Sequence, residues 1–176
     1  MKVVVLSGSP RKNGNTQIMM KHVLEYVNQK DVEVKFINLA EDGFEFFKGG
    51  ANEINYNDKT LQAAKDITEA DVWLVGIPVY NSMFSAALKN LFEFINYKET
   101  GGKTAGLAIL ASGMIGFTDV QTLLTQLMSY FKVLTNPTPV FMTADKIEDG
   151  KITSTEVKTR LNELVDKTLE IATSEN

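Results

Sequence analysis

The residues best suited to chemistry lie near the N-terminus, in Leu6-Ser-Gly-Ser-Pro-Arg-Lys-Asn-Gly-Asn-Thr16. Ser9, Asn15 and Thr16 offer hydrogen-bond donors, and Arg11 and Lys12 add full positive charge. The stretch follows the apolar run Val3–Leu6 and precedes a segment of helical periodicity, from about Asn15 to Asn28. That order reads as a strand, a Gly/Pro/Asn-rich turn and a helix N-terminus. A helix N-terminus carries partial positive charge and unpaired N–H groups, so it suits an anion. The chemistry expected here is the binding of a phosphate. A second turn-rich stretch, Pro78-Val-Tyr-Asn-Ser82, offers a fixed backbone at Pro78, an aromatic face at Tyr80, and polar groups at Asn81 and Ser82.

Composition removes several other chemistries. The chain has no cysteine, which excludes disulfides, thiolate metal sites, iron–sulfur clusters and thiol catalysis together. A single histidine leaves little for a His-rich metal site or a Ser-His-Asp triad. No residue is assigned a catalytic role, and no metal ligands are expected. A net charge of −4 argues against a nucleic-acid binder, whose footprint is basic. The apolar residues before Ser7 are too few for a secretory leader, and no run elsewhere could span a membrane. A cytoplasmic setting is the expectation. With 176 residues, 44% of them hydrophobic, the chain is expected to form one domain over 1–176.

The elements that must position these loops follow from periodicity. Val3–Leu6, Asp31–Leu39, Ala70–Ile77, Lys103–Ala111 and Val133–Met142 read as strands, the last broken by Asn136-Pro137 and Pro139 and so expected at an edge or bulge. Helices are expected over 15–28, 58–69, 84–96, 117–131 and 154–172. The first places Met20, Val23, Leu24 and Val27 on one stripe. His22 falls off that stripe and reads as a solvated helix residue rather than a proton donor. Asp58 is expected to cap the second helix, with Leu61, Ala64, Ile67 and Thr68 inward. Trp73 is expected in the core. The segment 40–57 is irregular and aromatic, and either covers a ligand or seals the sheet edge. The helix over 84–96 has apolar residues beyond its inward stripe, at Ala87 and Phe94, which suggests an oligomer interface.

Alternating strands and helices with right-handed crossovers give a three-layer α/β/α domain around a parallel sheet. Five strands fit the flavodoxin-like order 2-1-3-4-5, whose switch point lies between strands 1 and 3. The loops after those strands should then both bind ligand, and they are the two stretches named above. Ser112–Gly116, after strand 4, would be their neighbour. The spacing Gly8 to Gly14 is one residue too long for a Walker A loop, and no G-x-G-x-x-G follows strand 1. A phosphate on one loop and a flat polar ring against the other describe FMN, which would bring the redox chemistry itself.

Gly8-Ser-Pro-Arg-Lys-Asn-Gly-Asn-Thr16 resembles the phosphate loop of the NAD(P)H-dependent FMN reductase family. Pro78-Val-Tyr-Asn-Ser-Met-Phe-Ser-Ala-Ala-Leu-Lys-Asn90 resembles that family's second signature. Ala86 stands where the family pattern has glycine, a methyl that would tighten the helix contact. The resemblance implies non-covalent FMN, with Ser9, Arg11, Asn15, Thr16 and Gln17 on its phosphate. It places Pro78, Val79, Tyr80, Asn81 and Ser82 along the isoalloxazine, and Ser112 and Gly113 at its other side. It further implies NADPH or NADH as hydride donor, and a small second acceptor: free flavin, a quinone, an azo compound or a metal oxyanion. It also implies a homodimer or homotetramer. Family members with an iron–sulfur centre carry a cysteine cluster after strand 2, which this chain lacks. The alternative is a flavodoxin-like electron carrier without nucleotide oxidation of its own. Such carriers resemble a shorter T-G-N-T loop and are more acidic.

Overall fold

A computed structural model describes residues 1–50 and 54–174. Part of the irregular segment after the second strand, 51–53, lies outside the described residues. Strands β1 (Lys2–Ser7), β2 (Glu33–Asn38), β3 (Val72–Pro78) and β4 (Thr104–Ala111) alternate with helices α1 (Asn15–Val27), α2 (Asp58–Glu69) and α3 (Ala86–Phe92). There follow α4 (Phe117–Tyr130), β5 (Leu134–Thr135), β6 (Val140–Thr143), a hairpin of β7 (Ile147–Glu148) and β8 (Lys151–Ile152), and α5 (Thr155–Ser174).

The main sheet is parallel throughout and runs β2-β1-β3-β4-β5, with β6 also on β4. This is the order 2-1-3-4-5 expected from the sequence, with the fifth strand in two pieces. Pro137 and Pro139 cannot donate to a ladder, so pairing stops between them. Buried Asn136 holds the break: its N–H donates to the Ala105 carbonyl at 2.8 Å, and its Oδ1 accepts from the Thr138 N–H at 3.0 Å.

Burial on both faces explains why β3 and β4 read as unbroken apolar runs; every residue in each is buried. Alternate side chains of β1 enter two cores. Val4 and Leu6 face α2, α3 and α4, whereas Val3 and Val5 face α1 and α5. Trp73 lies in the first core, its indole N–H donating to the Ile67 carbonyl at 2.8 Å.

Three local expectations are corrected. Asn57, not Asp58, caps α2, accepting from the Thr60 N–H at 2.9 Å. The buried face of α2 is Thr60, Ala63, Ala64 and Ile67, so Leu61 is exposed. The third helix ends at Phe92, and Phe94 turns onto the protein's own loop. Its ring meets Phe47 and Tyr56 edge-on, with centroids 5.1 and 4.8 Å away. Phe94 is thus partly buried against this loop rather than carried on the helix itself. Phe47 and Tyr56, two of the four aromatics in that loop, pack over α3, while Phe44 and Phe46 line a separate cavity with Pro10 and Lys12.

Candidate functional site

The C-terminal ends of β1, β3 and β4 converge at the switch point, and the loops leaving them enclose a cavity of about 460 Å³. Ser9, Arg11, Asn15 and Thr16 line it from the first loop, Pro78, Val79 and Tyr80 from the second, and Ser112 from the third. Lys12, Asn13 and Gly14 complete the first loop's wall. Gln17, Asn81, Ser82 and Gly113 stay outside the lining, each beside residues that belong to it. Leu110, Ala111 and Ala144 line the cavity without having been singled out in the sequence. Ala144 arrives from the turn after β6. Its only signal is position: the edge strand's C-terminal end opens on the same side of a parallel sheet.

The first loop has the features an anion site needs. Helix α1 starts at Gly14, which provides no side-chain cap, and its first turn holds no acidic residue. The helix's leading N–H groups and their partial positive charge are thus left for a ligand. The two neighbouring cations diverge. The Lys12 ammonium pairs with Asp42 at 2.6 Å, and this holds the Asp42 carboxyl below the usual carboxylate range. The Arg11 guanidinium has no carboxylate partner among the described residues, so it is the free cation of the loop.

The loops are locked together. The buried Ser85 hydroxyl donates to the Gly8 carbonyl and accepts from the Leu88 N–H at 3.1 Å, so one side chain caps α3 and ties it to the first loop. Ser9 Oγ and the Tyr80 phenol lie 2.9 Å apart in a hydrogen bond that joins the first and second loops. Tyr80 and Met83 exchange backbone hydrogen bonds of 2.8 and 2.9 Å, with Asn81 at φ 51° and Ser82 at φ 60° between them. Two successive left-handed residues make a tight type I′ turn. Gly116, at φ 88°, lets the third loop approach this turn; a Cβ there would stand 2.8 Å from Val79 Cγ1.

His22 lies outside this cavity, on α1, with Nε2 3.0 Å from Asn162 Oδ1. Ala86 is exposed at the start of α3, so its methyl crowds no helix contact. Among the described residues no group of three or more His, Cys, Asp or Glu is placed to hold a metal.

The donor set fits FMN. An uncapped helix start, an unpaired guanidinium and two hydroxyls suit a phosphate dianion. The same cavity is lined by Pro78, Val79, Tyr80 and Ser112, whose aromatic, backbone and hydroxyl groups suit a flat polar ring.

Comparison with known proteins agrees. The family model described as NADPH-dependent FMN reductase matches residues 1–148. An NAD(P)H-dependent FAD/FMN reductase of Geobacillus thermodenitrificans is 24% identical over 167 residues, 93% of this chain and 89% of that protein. An FMN-dependent NADPH-azoreductase of Staphylococcus aureus is 28% identical over 121 residues, 65% of this chain and 63% of the relative. An iron–sulfur flavoprotein of Methanocaldococcus jannaschii is 36% identical over 101 residues, 53% of this chain and 51% of the relative. This chain, without cysteine, has no thiolates for such a centre. Solved structures share the fold. A flavoenzyme NAD(P)H:(acceptor) oxidoreductase from Paracoccus denitrificans superposes with TM-score 0.72 at 20% identity, covering 99% of this chain and 98% of the other. An FMN-dependent NADH-azoreductase from Bacillus anthracis, in complex with FMN, gives 0.66 at 14% identity, covering 98% and 100%. With a flavodoxin-like fold, an uncapped helix start beside an unpaired guanidinium at its switch point and a family match over residues 1–148, the chain belongs to the NADPH-dependent FMN reductase family.

Proposed function

We propose that this protein binds FMN and uses NADPH or NADH to reduce a second, small-molecule acceptor. The observation that carries this reading is one cavity lined by both a cationic, uncapped helix start and the Pro78–Tyr80 turn. Ser9, Arg11, Asn15, Thr16 and Gln17 would hold the FMN phosphate. Pro78, Val79, Tyr80, Asn81 and Ser82 would lie along the ring, with Ser112 and Gly113 on its other side. When bound, FMN supplies two-electron chemistry between nicotinamide and acceptor. The protein's part is to grip the phosphate, orient the ring through the locked loops and leave its outer face open to substrates.

A cytoplasmic setting belongs to the same proposal. So does assembly into homodimers or homotetramers, which the family resemblance supports. The Phe94 side of the helix over 84–96 is taken by Phe47 and Tyr56, so this reading does not rest on Phe94.

The test is a steady-state assay of the FMN-loaded protein with each nucleotide against free FMN, quinones, azo compounds and metal oxyanions. Nucleotide oxidation that depends on an added acceptor supports the reading. Loaded protein inert to both nucleotides would leave the electron-carrier alternative.

A further inference from the structure

A second cavity, of about 360 Å³, opens between α1, the β7–β8 hairpin and the start of α5. It shares no lining residue with the cavity at the switch point, although α1 serves both. The first residues of that helix line the switch-point cavity, and Ile18, Lys21, His22 and Glu25 on its next turns line this one. Lys151 and Ile152 enter from the hairpin and Lys158 from α5. The wall thus holds three ammoniums against one carboxylate, in a chain whose formal charge is −4. None of the three is in an ion pair among the described residues, whereas eight other lysines are. Glu25 stands four residues after Lys21, the weaker order for a helical pair, and Glu148 is the neighbour of Lys151 across the hairpin; neither closes on its lysine. His22 is committed to α5, its Nε2 donating to Asn162 Oδ1 at 3.0 Å.

Cations gathered at one cavity repel one another. An anion that enters between them removes that repulsion and gains a charge-assisted contact from each of three elements. Ile152 is buried and Ile18 half-buried in the same wall, so the carbon skeleton of a ligand finds apolar cover as well. The volume lies within the range of small-molecule sites, about 300–1,000 Å³. We infer that Lys21, Lys151 and Lys158 form an anion site for a small phosphorylated molecule carrying at least two negative charges. This site is separate from the proposed FMN site and does not rest on it.

The test is calorimetry on the full chain at low salt, with saturating FMN present to occupy the first loop and inorganic pyrophosphate as the titrant. Pyrophosphate should bind the unaltered chain. Its Kd should rise about 5- to 30-fold in the triple variant Lys21→Gln, Lys151→Gln, Lys158→Gln, as expected for three partly exposed charge contacts. Removing the same charge elsewhere, with Lys35→Gln, Lys98→Gln and Lys167→Gln, should leave the Kd within about twofold. Absence of pyrophosphate binding, or an equal loss in the two triple variants, overturns the site. Tighter binding of a polyglutamate peptide than of pyrophosphate also overturns it, because the groove then receives an acidic protein segment. FMN affinity should be the same in the groove variant and the unaltered chain; a parallel loss would merge this groove with the flavin cavity and overturn the inference. Should the unaltered chain fail to bind FMN, the flavin reading falls, and the comparison of the two triple variants still decides this one.

Discussion

Replacing Arg11 with alanine should weaken FMN binding by a margin set by the loop's own geometry. Arg11 is exposed at the cavity wall and no carboxylate holds it, so the substitution removes a ligand contact without breaking an ion pair of the fold. Its backbone carbonyl, which accepts from the Gly14 N–H at 3.2 Å, is retained in alanine. The loss is then that of one charge-assisted hydrogen bond to phosphate, about 1.5–3 kcal/mol, or about 10- to 150-fold in Kd. Binding should not be abolished, because the uncapped start of α1 still presents its N–H groups. Titration of the apoprotein with FMN, followed by flavin fluorescence, measures the change. Riboflavin, which lacks the phosphate, is the internal control: its affinity should be the same for both proteins. Lys12→Ala should cost far less, because Asp42 already holds that ammonium. An unchanged FMN affinity in Arg11→Ala, or an equal loss for riboflavin, would refute the assignment.

Further tests address the scaffold. Gly76→Ala would put a Cβ 2.1 Å from Met20 Cγ in the core, and overpacking of that kind costs about 1–3 kcal/mol, so thermal melting should drop by about 2–12 °C; an unchanged melting temperature counts against the packing described. Phe94→Glu should loosen the segment between β2 and α2, read as faster limited proteolysis there; an unaltered cleavage rate would show that the Phe47–Tyr56–Phe94 contacts do not hold it. Asp42, depressed by Lys12, contributes its tie to the phosphate loop above the usual carboxylate range and loses it only as pH falls through its lowered pKa. Its carboxyl resonance should therefore titrate below that of an unpaired aspartate and move back up in Lys12→Ala; a midpoint at the ordinary value would break the argument.

Much of this molecule is written locally in its sequence. Val3–Leu6 and Lys103–Ala111 read as strands because burial on both faces leaves little polar alternation to obscure them. Five strands alternating with helices admit few topologies once crossovers are right-handed, and the order 2-1-3-4-5 points to the loops after β1 and β3. The clustering of Ser9, Arg11, Asn15 and Thr16 with Pro78, Val79 and Tyr80 follows from that order, before any coordinate is known.

What the sequence could not decide depends on contacts between distant segments. Arg11 and Lys12 look alike as neighbours, and only the approach of Asp42 diverts one and leaves the other free. Phe94 reads as a surplus apolar residue on a helical wheel, yet the helix stops at Phe92 and the ring packs edge-on against Phe47 and Tyr56. Ser85 gives no hint that its hydroxyl reaches the Gly8 carbonyl as well as capping its own helix. Ala144 has no chemistry to advertise and joins the cavity only because β6 ends beside it. Periodicity and turn chemistry act over a few residues, so sequence alone determined the strands, the helices and which two loops meet at the switch point. The direction of each charge, and the use of each surplus apolar face, were decided by the tertiary structure, because both depend on which remote segment packs against them.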